Sequence, residues 1–436
     1  MMDHPTRLET ARDNARDLTM SRPALACFGE DQYGQYCRVV PAPFRASQQY
    51  QSYIALLPPV AQWFAYTTVS PPLFSLVTTV DAECATAEQL LAHLSRWQDH
   101  YAELWNQVET EVRRLHSWGD DFNVHFCKRA TLASQLVLDI VSGGDYAQWG
   151  FVSFAEGVFA LGMMRRLVGK RTDVIYFFGN VEQHIAESLA GLAKKYGTKN
   201  IIFQVPVLTE LGRLIEPSLV RTVKEVMENS VNEGVIDRYV IVMDGPQASN
   251  RLMSAFSDSA YPVDFWISTT GKAGLSPWNT SVLAFRPDHI LAKGLFHAVP
   301  TWLPSITELA AMRAALSMWT TDDATRLRYW SALSEELFVA LEKRLGDRID
   351  VEGKAASHPG IVLISVAGQD SKTLTSRLRN RLVSEFRIPL GTPGVRRDQE
   401  DVAKHFLRIG LPPHTLDAPP PSFDVLTNAI EMALSN

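Results

Sequence analysis

Short apolar runs alternate with amphipathic segments from about residue 148 to residue 286. The runs have the length and the β-branched content of buried strands, and they lie at 173–178, 200–207, 239–243, 264–268 and 281–285. Several of the segments that separate them have helical periodicity, and a helix at about 129–142 precedes them. Strands that alternate with helices predict an α/β fold, with a mostly parallel sheet between two layers of helices.

The chain has a different character on either side of this region. Residues 86–116 carry apolar side chains at three- and four-residue steps, which predicts a long amphipathic helix. After residue 286, two helices are followed by strand, helix, strand and helix, which predicts a smaller α+β domain. We therefore expect an N-terminal arm with helices at 1–120, a large α/β domain at 121–300 and a small domain at 301–436.

The composition is that of an ordinary soluble protein. The 436 residues are 46% hydrophobic and 21% charged, and the formal net charge of −6 argues against binding to nucleic acid or to an anionic membrane. No apolar stretch approaches the roughly 20 residues that span a bilayer. The first residues contain no apolar signal core, so we expect a cytoplasmic protein. The four cysteines form no CxxC pair, which predicts neither a disulfide nor a metal site.

An acid and a lysine stand at the ends of two neighbouring predicted strands. Asp244 ends the run at 239–243, and Lys272 follows the run at 264–268. Ligands of open α/β sheets bind at the carboxyl ends of the strands, where these two side chains would meet. Pyridoxal 5'-phosphate (PLP) requires such a pair: a lysine for the Schiff base and a carboxylate that keeps the pyridine nitrogen protonated. The alternative interpretation is that Asp244 caps a turn and that Lys272 is a solvated loop residue.

Two other segments lie where a cofactor site of this kind would need them. Residues 154–157 stand where a strand turns into a helix, and a helix N-terminus is suited to a phosphate group. His184 follows the predicted strand at 173–178, at the same edge of the sheet as Asp244 and Lys272. A capping or surface role for His184 remains the alternative.

Three stretches resemble the fold-type-I PLP-dependent enzymes, and most closely the group II amino-acid decarboxylases of the bacterial histidine- and serine-decarboxylase branch. WGFVSFAEG at 149–157 is similar to W-G-x-x-T-x-G-G-T-E-G-N of that branch. VIYFFGNVEQH at 174–184 is similar to its strand that ends in S-x-E-x-H. WISTTGKAGLSP at 266–277 is similar to I-S-I-S-G-H-K-F-I-G-S-P. The resemblance implies a seven-stranded, mostly parallel sheet and a homodimer with shared active sites, around which the N-terminal segment would wrap.

The resemblance also implies roles for individual residues. Lys272 would form the Schiff base, Asp244 would contact the pyridine nitrogen, and His184 would stack on the ring. DGPQ at 244–247 resembles the D-G-A-Q of class V aminotransferases and cysteine desulfurases. The remaining expected cofactor contacts come from the strand ends and from this turn: Ser153, Phe154, Ala155, Pro246, Gln247 and Thr269.

The sequence also departs from the decarboxylase pattern. Phe154 and Ala155 replace the small and hydroxyl residues of the phosphate loop, Gly271 replaces the histidine before the lysine, and no T-T-x-x-G-A strand is seen between about 220 and 240. Arg408 resembles the class V arginine in L-R-x-S, which would bind a substrate carboxylate, although a surface arginine on a strand edge is the alternative.

Three functions therefore stay open. The first is decarboxylation of an amino acid through an external aldimine. The second is a class V-like transamination, epimerisation or Cα/Cβ lyase reaction. The third is a binding protein that retained the fold and lost the activity.

Overall fold

The computed structural model describes residues 94–154, 164–175, 179–209, 211–251, 261–272, 276, 280–286, 303–317, 319, 323–352, 360–368, 370–386, 388, 390, 406–412 and 422–435. Ala155, the first 93 residues and residues 391–405 lie outside these ranges.

A seven-stranded sheet forms the centre of the molecule. Its order is β1-β7-β6-β5-β4-β2-β3. The central pairs β3–β2, β2–β4, β4–β5 and β5–β6 are parallel, and β7 runs antiparallel to both β6 and β1. The strands are β1 (Asn123–Cys127), β2 (Trp149–Phe154), β3 (Thr172–Ile175), β4 (Asn200–Pro206), β5 (Arg238–Asp244), β6 (Phe265–Thr269) and β7 (Ser281–Phe285).

Helices cover both faces of this sheet, which explains why its strands are apolar on both sides. The helices are α1 (Leu94–His116), α2 (Ala130–Ser142), α3 (Val181–Tyr196), α4 (Pro217–Asn232), α5 (Ile306–Ser317), α6 (Asp323–Leu345), α7 (Ser371–Ser384) and α8 (Phe423–Ser435). Residues of α1, α3, α4 and α5 share one core with one face of the sheet. Residues of α2 form a second core on the other face.

A smaller antiparallel sheet follows in the chain. Its strands are β8 (Ile349–Glu352), β9 (Ile361–Val366) and β10 (Leu407–Gly410), in the order β10-β9-β8. They pack with α6, α7 and α8 around a third core. The prediction of a mostly parallel sheet between helices, with a smaller α+β unit after it, is confirmed.

The cores do not follow the expected boundary at residue 300. Side chains of α5, such as Leu309 and Met312, belong to a core of the large sheet, and the third core begins at Trp330. Helix α1 also packs into a core of the large sheet, through Leu104 and Val108. The division at 1–120, 121–300 and 301–436 stays a prediction.

The absence of a T-T-x-x-G-A strand between about 220 and 240 leaves no gap in the sheet. Residues up to Asn232 belong to α4, and the neighbour of β5 is β4, which lies earlier in the chain. Among the described residues, the sheet therefore has seven strands in a continuous order. Among the described residues, no helix combines the length and the apolar character that crossing a membrane requires.

Candidate active site

The carboxyl ends of β5 and β6 bring Asp244 and the segment of Lys272 to the same edge of the sheet. The two strands are parallel neighbours, and Asp244 is in register with Ile267. The backbone N–H of Gly245 donates to the carbonyl of Ile267 over 2.8 Å, so the pairing continues past the last residue of β5. Lys272 lies three residues beyond β6. The structure thus places the acid and the lysine at adjacent strand ends, as the sequence predicts.

A buried hydrogen-bond chain reaches Asp244 from the helix layer. The Nε2 of Gln204, on the adjacent strand β4, donates to Oδ2 of Asp244 over 2.6 Å. The Oγ of Ser134, in the first turns of α2, donates to Oε1 of Gln204 over 3.1 Å. Gln204 is 1% exposed and Ser134 is 3% exposed. Neither residue was predicted from the sequence, because Gln204 stands within an otherwise apolar strand.

The turn after β5 is buried and holds the end of β6. Pro246 and Gln247 both lie in this turn and are buried. Ser249 donates from Oγ to the carbonyl of Gly245 over 3.1 Å, and the same oxygen accepts from the backbone N–H of Thr269 over 3.0 Å. This one hydroxyl therefore fixes the end of β6 relative to the turn that carries Asp244.

Lys272 has a left-handed backbone. Its φ is 53°, a conformation that costs a residue with a side chain on the order of 1 kcal/mol. The preceding residues are held firmly: Thr270 donates from N to the carbonyl of Thr280 over 2.9 Å, and Gly271 donates from N to Oγ1 of Thr269 over 3.2 Å. The lysine therefore leaves β6 from a turn that is fixed by the start of the neighbouring strand.

Ser153 and Thr269, the two hydroxyl residues among the expected cofactor contacts, donate hydrogen bonds to backbone carbonyls. Ser153 is buried within β2 and donates to the carbonyl of Phe154 over 3.1 Å. Thr269 donates from Oγ1 to the carbonyl of Thr280 over 3.0 Å. Each hydroxyl has one proton, and in both residues that proton is given to a backbone carbonyl. Phe154 is fully buried in a core of the large sheet, and Ala155 lies outside the described residues.

The start of α2 lies closer to Asp244 than the sequence suggests. Ser134 belongs to this helix and is linked to Asp244 through Gln204. Arg129 precedes the helix and makes no side-chain cap. The first turn of a helix carries backbone N–H groups without helical partners, together with the positive end of the helix dipole. This first turn is therefore a better candidate for a phosphate than Ser153 or Thr269.

The strand order separates His184 from Asp244. His184 lies in the first turn of α3, after the edge strand β3, and β2 and β4 stand between β3 and β5. At about 4.8 Å between neighbouring strands, β3 lies on the order of 14 Å from β5. Helix α3 also packs on the face opposite α2, and the His184 ring instead lies against Gly179. The stacking role of His184 stays a prediction.

Arg408 is buried, which excludes the surface interpretation. It lies in β10 and is 2% exposed. Burial, together with the nearby charge of Arg408, lowers the pKa of Arg251 to about 9. Arg251 follows the Asp244 turn, and its guanidinium lies 4.6 Å above the centre of the Trp330 ring in α6. Two buried cations thus stand where the segment after Asp244 meets the small sheet.

Cys127 offers no nucleophile at neutral pH. Its thiol is fully buried at the end of β1 and donates to the carbonyl of Arg129 over 3.7 Å. Burial raises the pKa of this thiol to about 12, so it stays protonated. Cys27, Cys37 and Cys84 lie outside the described residues. Within the described part of the chain, no group of three or more His, Cys, Asp or Glu side chains is arranged to hold a metal ion.

Comparisons with known proteins identify the fold. No protein-family model matches the chain, and no curated protein matches its sequence. Among solved structures, a NifS-like protein matches with a TM-score of 0.59 and 14% identity, over 86% of this chain and 99% of that chain. A cysteine desulfurase from Thermococcus onnurineus gives a TM-score of 0.58 and 12% identity, over 92% and 99% of the two chains.

The cystine C–S lyase C-DES also matches. Its complex with cysteine persulfide gives a TM-score of 0.61 and 16% identity, over 86% of this chain and 97% of that chain. A C-DES variant with glycine covalently linked to its PLP cofactor gives a TM-score of 0.60 at the same identity, over 85% and 96% of the two chains. At these identities the similarity establishes the fold, which is that of the fold-type-I PLP-dependent enzymes. The homodimer and the closer placement with the decarboxylases stay predictions.

Proposed function

We propose that this chain is a PLP-dependent enzyme that acts on an amino acid or an amino-acid-derived substrate. One observation carries the proposal: Asp244 ends β5, is fixed there by Gln204, and stands beside the strand end that leads into Lys272. An ordinary turn cap would not need a buried amide from the adjacent strand. The shared fold supports the proposal, because C-DES carries PLP in the same fold.

The residues at this edge fit the requirements of PLP. A carboxylate at Asp244 suits a protonated pyridine nitrogen, and the amine of Lys272 suits the cofactor aldehyde. The first turn of α2 offers backbone N–H groups to the phosphate. Gln247 and Pro246, buried in the turn after Asp244, are proposed to line the ring. When bound, PLP serves as an electron sink for the bond that is broken at the substrate.

Each of these residues has a task that follows from its chemistry. Asp244 holds a proton at the pyridine nitrogen, because a carboxylate favours the charged pyridinium. Lys272 binds the cofactor covalently through Nζ and can move a proton at the substrate Cα. Arg408 is proposed to hold the substrate carboxylate, since a guanidinium binds a carboxylate through two parallel hydrogen bonds.

The absorption spectrum of the purified protein tests the cofactor. We expect a band near about 420 nm after incubation with PLP, and we expect Lys272→Ala to abolish it, because the lysine supplies the covalent bond. Lys224→Ala is the matched control, since Lys224 lies on the outer part of α4 and makes only an ion pair with Glu228. If the wild-type protein shows no band at saturating PLP, the proposal is wrong.

For the reaction, we propose a lyase that cleaves the carbon–sulfur bond at Cβ of an amino acid. It belongs to the class V-like alternative. The DGPQ turn and the buried Arg408 support this choice, and the matched solved structures include a C–S lyase and cysteine desulfurases. Decarboxylation is the second candidate, because the order of the motifs between 149 and 277 resembles the decarboxylases. The two candidates differ in what they need: a lyase retains the carboxylate that an arginine holds, and a decarboxylase releases it.

A panel of amino acids separates the two reactions. We expect cysteine or cystine to yield sulfide or persulfide sulfur at a rate at least tenfold above the release of carbon dioxide from any amino acid in the panel. The Lys272→Ala protein serves as the blank for uncatalysed release. Faster release of carbon dioxide, from histidine or serine for example, would favour the decarboxylase.

A further inference from the structure

We propose that Gln204 is a positioning residue for Asp244, and that Ser134 fixes the orientation of the Gln204 amide. The inference rests on the proposed function, because its purpose is to present the Asp244 carboxylate to the pyridine nitrogen of PLP. It adds two residues, one from β4 and one from α2, that lie behind the site and have no role in the resemblance.

The register of the sheet sets these side chains on one face. Gln204 is paired with Val242, two residues before Asp244 on β5. Side chains two residues apart on a strand point to the same face, so Gln204 and Asp244 both project towards α2. Ser134 extends from that helix and contacts Gln204 across 70 positions of sequence. The three side chains therefore form a chain of hydrogen bonds that runs from the helix layer to the edge of the site.

The direction of donation in these two hydrogen bonds is set by Asp244. Asp244 accepts at Oδ2, so the amide group that faces it over 2.6 Å must be the Nε2 donor. With the amide reversed, Oε1 would face a carboxylate oxygen at that distance, which is repulsive. Ser134 completes the arrangement, because its hydroxyl proton is directed at Oε1 over 3.1 Å, whereas its other acceptor, the carbonyl of Ala130, lies at 3.5 Å.

The consequence is a carboxylate whose rotation is restricted. A side-chain carboxylate can rotate about its terminal bond, and the hydrogen bond from Gln204 holds Oδ2 towards β4. The same hydrogen bond therefore also fixes the direction of the other oxygen, Oδ1, which would face the pyridine nitrogen. Because Gln204 is 1% exposed, water does not compete for its amide, and the restraint is stronger than it would be at the surface.

The test is a double-mutant cycle on the affinity for PLP. We expect Gln204→Leu to weaken PLP binding about tenfold in the wild-type background, which is the scale of one hydrogen bond to a charged group. In the Asp244→Ala background, the same substitution should change the affinity less than twofold, because the group on which Gln204 acts is gone. A residue that only supports the fold would weaken binding equally in both backgrounds.

Further variants keep the test independent of folding. Ser134→Ala should weaken PLP binding about threefold, and Ser134→Thr should restore it, because the hydroxyl is retained. Thr198→Val is the matched control: Thr198 is fully buried beside the other end of β4, and the variant should leave PLP binding unchanged. The thermal midpoint of each protein without PLP shows whether it is folded.

The outcomes distinguish this inference from the proposed function. If the wild-type protein binds PLP but Gln204→Leu changes the affinity less than twofold, or weakens it equally in both backgrounds, the positioning role is wrong and the proposed function stands. If the wild-type protein binds no PLP, both are wrong. Where Gln204→Leu does not fold, Ser134→Ala and Ser134→Thr decide through the same comparison in the two backgrounds.

Discussion

At the scale of single residues, two turns that follow the central strands carry unusual backbone angles. Among the described residues, positive φ values at positions other than glycine occur at Ser117, Asn250 and Lys272. Asn250 and Lys272 follow the ends of β5 and β6, close to the proposed site. Strained backbone of this kind persists only where the surroundings hold it, and hydrogen bonds from Thr270 and Gly271 do so here.

The strain at Lys272 predicts an inverted order of stability between two substitutions. Glycine adopts a φ of 53° without steric cost, and alanine does not, so Lys272→Gly should be more stable than Lys272→Ala by about 0.5–1 kcal/mol. The matched pair at Lys224 in α4 should show the opposite order, with glycine less stable by about 1 kcal/mol. Chemical denaturation without PLP measures both pairs. The same order at the two positions would contradict the strain.

Single residues also show where sequence reasoning ends. Asp244 and Lys272 could be predicted, because each follows an apolar run whose end is visible in the sequence. Gln204 could not, because its partner Ser134 lies 70 positions away on a helix whose packing is not encoded locally. For His184, the sequence shows only that it follows a strand, and the strand order shows that this strand, β3, lies at the edge of the sheet.

At the scale of elements, strands were predicted well where apolar runs are bounded by polar residues. The run at 281–285 coincides with β7, and β5 and β6 differ from prediction by one residue at their ends. Strand β1 was missed: it has five residues, NVHFC, with polar side chains at alternate positions, and it lies at the edge of the sheet. Only its pairing with β7 shows that it is a strand.

Helix α4 shows the opposite case, because its helical pattern is visible in the sequence. Its buried residues Val220, Val223 and Met227 recur at three- and four-residue steps, and Pro217 stands at its first position. Proline is favoured there, because the N–H that it lacks would have no helical partner. A T-T-x-x-G-A strand is absent between about 220 and 240 because α4 occupies most of this stretch. This helix is the ordinary connection between β4 and β5.

At the scale of the whole molecule, the two sheets are joined through Arg251. Its guanidinium lies over the Trp330 ring, and its Nη2 donates to the carbonyl of Leu411 over 3.4 Å. Gly360 lies directly beneath this contact. A Cβ on Gly360 would overlap Nη1 of Arg251 and would lie 2.6 Å from Cε3 of Trp330. Position 360 has room only for glycine.

Gly360→Ala should therefore be costly. Its φ of 68° costs alanine about 1 kcal/mol, and the overlap with two buried side chains adds about 1–3 kcal/mol. Gly197→Ala is the control: its φ is 66°, nothing lies within 4 Å of an added Cβ, and the expected loss is about 1 kcal/mol. Denaturant unfolding measures both. Equal losses of stability in the two variants would show that the cost at position 360 comes from backbone conformation alone.

The position of Arg251 has a mechanical consequence. The arginine is seven positions after Asp244, in a segment that is buried from Gly245 to Arg251, and its head group is enclosed by Trp330, Gly360 and Leu411. Arg251 therefore links the two sheets through its side-chain contacts. A displacement of the small sheet from the large one would have to break these contacts of Arg251, which belongs to the segment that carries Asp244. The contacts of Arg251 thus connect the small sheet directly to the segment that carries Asp244.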